Sequence, residues 1–179
     1  MIFSILFVFH FLCFIGCVSA LGTADKLIAK AAREILKPLG VFQKGSSRIW
    51  IDDNGWFLTV IGFQPSSWSK GAYLNVAISF LWEQGEGFKE VLPFNIGGRE
   101  LSHEEYEGDD ENFYDKMLKM IQYAKKKLLE YRKYSADLSY AQTQMNNYWD
   151  SNSPSKVIQA WNKGMFCYFL ETKGKEINN

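Results

Sequence analysis

The sequence predicts an α+β fold: an N-terminal helix, a three-stranded antiparallel meander, then about three C-terminal helices packing on one sheet face. Between residues 72 and 82 apolar and polar side chains alternate, which is the periodicity of a half-buried strand. Between residues 110 and 134 apolar side chains recur at helical spacing. Grouped strands followed by a run of helices are typical of an antiparallel sheet with helices on one side.

The first predicted helix begins near Thr23, which is a favourable N-cap residue, and carries Asp25 in its first turn. The segment Pro38-Leu39-Gly40 ends it, because proline lacks a backbone donor and glycine tolerates positive φ. One face of this helix is apolar and consists of Leu27, Ile28, Ala31, Ile35 and Leu36. That stripe is expected to pack against the rest of the domain.

Three strands of a meander are predicted after this helix. The short strand Arg48–Ile51 leads through the turn Asp52–Gly55, whose Asn-Gly pair favours positive φ, into the strand Trp56–Phe63. A polar turn at Pro65–Gly71 precedes the third strand, Ala72–Trp82. The third strand has one face of Leu74, Val76, Ile78, Phe80 and Trp82 and an opposite face of Tyr73, Asn75, Ala77 and Ser79. This alternation predicts one core face and one open face.

The second half of the chain predicts mostly helix. Residues 84–110 are rich in glycine and glutamate and predict irregular chain, with a short extended piece around Pro93–Ile96. A long helix is predicted over Asp110–Tyr134, with acidic residues at its start and basic residues at its end, as the helix dipole favours. A helix over Ala136–Trp149 follows, and Ser153-Pro154 predicts the start of a last helix.

The segment Met1–Leu21 has no charged side chain, whereas ordinary polar sequence begins at Asp25. This change in composition divides the chain into a signal peptide or hydrophobic anchor at residues 1–21 and a single α+β domain at residues 22–179. As a cleaved signal peptide, the favoured interpretation, it has an apolar core and a suitable cleavage site at Val18-Ser19-Ala20. The basic residues that usually precede such a core are missing.

Three other interpretations of Met1–Leu21 stay open. Ile15-Gly16-Cys17 resembles the end of a lipobox, which would allow lipidation of Cys17. As an uncleaved anchor, about 20 apolar residues span a bilayer core, and the basic residues from Lys26 to Lys37 favour a cytoplasmic domain. A misassigned start would also place the domain in the cytoplasm. We therefore expect an exported or membrane-associated protein, with a cytoplasmic location as the alternative.

Composition excludes several functions. The chain has 20 Lys and Arg residues against 20 Asp and Glu residues, so no nucleic-acid partner is expected. Cys13 and Cys17 lie in the leader, which leaves Cys167 alone, and the only histidines are His10 and His103. This disfavours zinc and a histidine-based catalytic pair and favours a surface His103 with a buried Cys167. No P-loop, dinucleotide motif or nucleophile elbow is present, so no cofactor is expected.

Short aromatic motifs give the chain a family resemblance. Ile35-Leu36-Lys37-Pro38-Leu39-Gly40 leads to Arg48-Ile49-Trp50, and Val60-Ile61-Gly62-Phe63-Gln64-Pro65-Ser66-Ser67-Trp68-Ser69 leads to Tyr73-Leu74-Asn75-Val76. From about Lys26 to Trp149 the chain resembles the bacterial family known as domain of unknown function 4304. Members usually begin near the first helix, so residues 1–21 depart from the family pattern and favour a misassigned start. The resemblance implies no activity and no catalytic residue.

An acidic run between residues 100 and 111 is one candidate for chemistry. Glu104, Asp109 and Asp110 offer the oxygen ligands that Ca²⁺ or Mg²⁺ prefers, although their spacing is not that of an EF-hand. Together with Glu100 they support an alternative in which the protein is a carboxylate- or divalent-metal-dependent hydrolase. A solvated loop that leads into a helix start explains the same acids and is favoured.

Two basic patterns have ordinary structural explanations. Gly97-Gly98-Arg99 offers backbone amides and a guanidinium to an anion, but two glycines are more typical of a turn. Lys125-Lys126-Lys127 with Arg132 and Lys133 could face an anionic surface. The neutral domain and the helix dipole favour a solvated helix end.

The turn Gln64-Pro65-Ser66-Ser67-Trp68-Ser69 is the first binding candidate. A tryptophan in a polar turn either folds back onto the core, which is favoured, or anchors an interface. Combined with the open sheet face, it predicts a ligand- or partner-binding site at Gln64, Trp68, Tyr73 and Asn75. The prediction is a non-enzymatic binding module for an unknown protein or small ligand, with membrane contact only through residues 1–21 if these are uncleaved.

Overall fold

The computed structural model describes residues 22–83, 93–152 and 155–177. Within these residues four α-helices run over Thr23–Leu36 (α1), Asp110–Ala136 (α2), Leu138–Asn152 (α3) and Lys156–Ile177 (α4). The same part of the chain forms one antiparallel sheet, with strands in chain order: Phe42–Gln43 (β1), Ile49–Asp53 (β2), Phe57–Gln64 (β3), Gly71–Phe80 (β4) and Ile96–Glu105 (β5). Single 3₁₀ turns at Lys37–Leu39 and Leu81–Glu83 follow α1 and β4. The α+β prediction is confirmed.

The predicted three strands are too few, because β1 and β5 extend the described sheet to five. At two residues β1 is too short to show a periodicity. The pairing of β5 with β4 shifts register twice between Ala72 and Asn75, so β5 lacks the regular alternation of a flat strand. Gly97-Gly98-Arg99 is therefore part of a strand and not a turn.

The strand register shows which side chains share each face of the sheet. The core face carries the buried pairs Phe57–Phe80, Ile61–Val76 and Phe63–Leu74 between β3 and β4. The opposite face, here called the second face, carries the pairs Leu58–Ser79, Val60–Ala77, Gly62–Asn75 and Gln64–Tyr73. The alternation predicted along β4 is confirmed over Leu74–Phe80.

Helix α2 covers the core face and packs beside α1. It extends two residues beyond the predicted end, and Asp109 caps its start by accepting a hydrogen bond from Asn112 N at 3.0 Å. Burial against the sheet raises the pKa of Tyr134 to about 12. The buried stripe of α2 consists of Phe113, Met117, Met120, Ile121, Ala124, Leu128, Tyr131 and Tyr134.

The two ends of α1 differ in how well they were predicted. Thr23 is the first helical residue and not the cap, because Gly22 precedes the helix and its carbonyl accepts from Lys26 N at 3.1 Å. The predicted end at Pro38-Leu39-Gly40 is confirmed. Pro38 lies in the 3₁₀ turn, and Gly40 adopts a φ of 83° that favours glycine.

An ion pair between a partly exposed arginine and a buried aspartate joins the end of α2 to the sheet. Arg132 donates from Nε and Nη2 to the two carboxylate oxygens of Asp52 at 3.0 and 2.6 Å, and Nη2 also donates to Leu39 O at 2.7 Å. Asp52 is 4% exposed, and its carboxylate raises the pKa of Arg132. Asn54 Nδ2 donates to Asp52 Oδ2 at 3.0 Å. One ion pair thus connects α2, β2, the turn after β2 and the turn after α1.

Aromatic side chains attach α4 to the end of the sheet. Trp82 Nε1 donates to Oδ1 of the buried Asn162 on α4 at 2.9 Å. The ring of Trp56 stacks on Trp82 with centroids 5.8 Å apart and lies 5.1 Å from Phe166 of α4. Cys167 on the same helix is exposed, so the expectation of a buried cysteine is wrong.

Among the described residues, no helix is both long and apolar enough to cross a membrane. The predicted leader at residues 1–21 and the predicted helix start at Ser153-Pro154 lie outside the described residues.

Removal of the guanidinium from the ion pair tests its role in stability. We expect Arg132→Met to lower the free energy of unfolding by about 3 kcal/mol, because the buried Asp52 carboxylate loses its counter-charge. Adding Asp52→Asn to this variant should recover part of the loss, since it removes the uncompensated charge. Urea unfolding measures both, with Lys133→Met on the exposed side of α2 as the control. If Arg132→Met and Lys133→Met are equally stable, the ion pair does not stabilise the fold.

Candidate functional site

The register of β3 and β4 brings three of the four predicted binding residues together on the second face. Gln64 lies directly opposite Tyr73, and Asn75 lies two residues further along β4. Asn75 Nδ2 donates a hydrogen bond to Gln64 Oε1 at 3.0 Å. Trp68 is not part of this group, because it lies in the turn between the two strands.

Strand β5 adds two residues that the sequence did not assign to the site. Arg99 is paired in register with Asn75, and its Nη2 donates to Gln64 Oε1 at 3.1 Å. The guanidinium carbon lies 4.1 Å from the ring centre of Tyr73, a cation–π contact. The ring of His103 lies 4.8 Å from the same tyrosine. These five side chains, Gln64, Tyr73, Asn75, Arg99 and His103, are called the polar cluster below.

A cavity of about 480 Å³ lies beside the polar cluster on the second face. Ile49, Val60 and Phe94 are among its apolar lining residues, and Gln64, Asn75 and Arg48 are among its polar ones. This volume falls within the range of small-molecule sites, roughly 300–1,000 Å³. The cavity is therefore large enough for a small ligand or for a side chain of a protein partner.

Gly62 explains why β3 leaves room for the cavity. It lies opposite Asn75, and a Cβ atom built on it would meet one heavy atom within 4 Å, Asn75 Cβ at 4.0 Å. Its φ lies outside the left-handed region, so the backbone accepts other residues. A larger side chain at this position would enter the cavity without backbone strain.

Trp68 is 94% exposed, so the expectation that it folds back onto the core is wrong. The turn that carries it is ordered by a hydrogen bond from Trp68 N to Ser66 Oγ at 3.1 Å. Pro65 in the same turn lines the cavity. An exposed tryptophan close in sequence to a cavity rim is typical of an interface anchor.

The carboxylates of the metal alternative have separate structural roles. Asp109 caps α2, and Asp110 Oδ1 accepts from Tyr106 OH at 2.5 Å, which raises the pKa of that tyrosine. Glu104 Oε2 lies 3.8 Å from Lys116 Nζ. In the part of the chain that the structure describes, no three His, Cys, Asp or Glu side chains are grouped so that they could hold a metal ion.

Searches for similar proteins match the chain to no protein-family model, no curated protein and no solved structure. The resemblance to domain of unknown function 4304 therefore stays a prediction, and the geometry of the second face is the basis for assigning a function.

Truncation of Trp68 tests whether its side chain contributes to the fold. We expect Trp68→Ala to change the free energy of unfolding by less than about 0.5 kcal/mol, because the side chain is exposed. Trp50→Ala is the matched control, since Trp50 is 2% exposed and its removal should cost about 3–5 kcal/mol. Thermal unfolding of both variants measures the difference. A comparable loss in the two would place Trp68 in the core after all.

Addition of divalent ions tests the metal alternative. Glu100 accepts from Tyr123 OH at 3.0 Å and lies 3.6 Å from Lys127 Nζ, so it too has partners within the fold. We expect millimolar Mg²⁺, Ca²⁺ or Mn²⁺ to leave the melting temperature at its value in chelator, because binding to the folded state alone would raise it. A rise that Glu104→Gln or Asp109→Asn abolishes would revive the hydrolase.

Proposed function

We propose that this protein is a non-enzymatic binding module whose ligand occupies the cavity on the second face. One observation carries the proposal: apolar walls from Ile49, Val60 and Phe94 meet the two amides of Gln64 and Asn75 in a single cavity. Binding sites are typically apolar with a few well-placed polar groups, because apolar burial supplies affinity and hydrogen bonds supply orientation.

The way the site is built also supports binding. Gln64 and Asn75 lie on adjacent paired strands, and Arg99 from a third strand donates to Gln64. A side chain held by neighbours on rigid strands loses little conformational entropy when a ligand binds. The exposed Trp68 in the adjoining turn suits a protein partner that extends beyond the cavity.

The chemistry of the polar cluster favours binding over catalysis. Side-chain amides neither gain nor lose a proton near neutral pH, so Gln64 and Asn75 cannot act as acid or base. His103 is the one histidine of the described chain, and its Nε2 is buried without a hydrogen-bond partner. An imidazole with one nitrogen buried in this way is poorly placed to exchange protons with a substrate.

Filling the cavity tests the function. A library of small fragments is screened by ¹H–¹⁵N correlation spectra, in which the side-chain NH₂ groups of Gln64 and Asn75 give their own signals. We expect hits that move these signals, and Gly62→Leu should abolish the response because the leucine side chain occupies the cavity. Gly62→Ala is the matched control and should keep most of it.

Two results would overturn the proposal. One is a screen in which no fragment moves the signals of Gln64, Asn75 or Val60. The other is a response that survives in folded Gly62→Leu protein, since the ligand would then lie elsewhere. Dispersed spectra of both variants show that they are folded.

A further inference from the structure

Arg99 fixes the orientation of the Gln64 amide. A guanidinium only donates hydrogen bonds, so the Gln64 atom that faces Arg99 Nη2 at 3.1 Å is the oxygen, Oε1. Asn75 Nδ2 donates to the same oxygen at 3.0 Å, which identifies the Asn75 atom on that side as its nitrogen. An amide flip at either residue would place two donors or two acceptors face to face. The three side chains therefore have a single consistent arrangement.

This arrangement determines what the two amides offer to a ligand. With Oε1 accepting from two donors, the NH₂ group of Gln64 is left to donate, and within the described chain it has no bond to a protein acceptor. Asn75 donates through Nδ2, so its Oδ1 is left as an acceptor. Both residues line the cavity, so a ligand there can meet one donor group and one acceptor group side by side.

We propose that the cavity selects ligands in which an apolar group adjoins an amide, either a primary carboxamide or an extended peptide residue. A primary carboxamide has both groups on one edge, a C=O that accepts from the NH₂ of Gln64 and an N–H that donates to Oδ1 of Asn75. In a trans peptide bond these two groups point in opposite directions, so a peptide would use the N–H and the C=O of one residue, which belong to adjacent peptide bonds. In either case the apolar group packs against Ile49, Val60 and Phe94. The inference rests on the proposed function, because it names the ligand class of the same site.

Esters and carboxylates lack the hydrogen-bond donor that Oδ1 of Asn75 requires. Each can accept from Gln64, but neither can donate, so the 7% exposed Asn75 would lose its contact with water without gaining a partner. The guanidinium of Arg99 is engaged by Gln64 Oε1 and by the ring of Tyr73, and Arg99 does not line the cavity. Arg99 is therefore a positioning residue here and not an anchor for a carboxylate. Arg48 does line the cavity, but its Nε and Nη1 donate to Asp25 Oδ1 and Gly71 O.

Matched probes test the selectivity. 4-Methylpentanamide, 4-methylpentanoate and the methyl ester of the latter share one apolar group and differ only in the polar group. N-acetylleucine N-methylamide presents the same isobutyl group beside peptide bonds. We expect at least one of the two amides to bind about tenfold more tightly than the ester and the carboxylate, the effect of one buried hydrogen bond. Titrations followed by ¹H–¹⁵N spectra give the Kd of each probe. If 4-methylpentanamide is the tighter of the two amides, the ligand class is a small carboxamide; if N-acetylleucine N-methylamide is the tighter, it is a peptide.

Two variants separate recognition from packing. Gln64→Glu replaces the NH₂ donor with an acceptor that still pairs with Arg99, so amide affinity should fall about tenfold while ester affinity stays within about twofold. Arg99→Met removes the group that orients Gln64, so the ratio of amide to ester affinity should fall without loss of ester binding. Gln142→Glu, an exposed change on α3, is the control and should alter neither affinity.

The outcomes distinguish this inference from the function on which it rests. If the ester binds as tightly as both amides, or if Gln64→Glu keeps the amide preference, the inference fails while the binding module stands. If the carboxylate binds most tightly, an arginine such as Arg48, which lines the cavity, anchors an anion and the inference also fails. If no probe and no fragment moves the signals of the cavity, the proposed function fails and the inference with it.

Discussion

The Arg132–Asp52 ion pair is the constraint on which the arrangement of the fold depends. Asp52 pairs with Thr59 on the core face of the sheet, where a carboxylate without a counter-charge would be strongly unfavourable. Arg132 neutralises it from the last turns of α2 and also binds Leu39 O in the turn after α1. Because these bonds require α2 to cross the core face at one position, they help determine which face of the sheet the helices cover.

Because the helices cover the core face, the second face has a different composition. Ile51, Val60 and Ala77 are buried there, but they lie outside the core that the helices form with the other face. Gly62 lacks a side chain at the centre of this surface, and the neighbouring positions hold amides. An apolar surface with a gap and unpaired hydrogen-bonding groups is less stabilising than a filled core, which supports the proposal that this surface binds a ligand.

The sequence predicted those parts of the fold whose apolar residues recur with a regular period. Leu74 to Phe80 alternate between core and second face, so the strand and its alternation were predicted correctly. The face that was predicted to be open is instead buried at Asn75, Ala77 and Ser79. β5 was missed because register shifts and glycines interrupt its alternation. Trp68 was expected in the core because tryptophan is usually buried. The local sequence does not indicate whether the side chain of a turn residue faces the core or the solvent, and Trp68 is exposed.

The missed strand also explains why the site could be predicted only in part. Gln64, Tyr73 and Asn75 could be grouped from the sequence because they belong to β3 and β4, whose pairing is local. Arg99 is 35 residues from Gln64, and it joins the site only when β5 is added to the sheet. Without Arg99 either orientation of the Gln64 amide would be possible, and the proposed preference for amides would have no basis. The proposed specificity thus depends on β5, a strand that local patterns do not show.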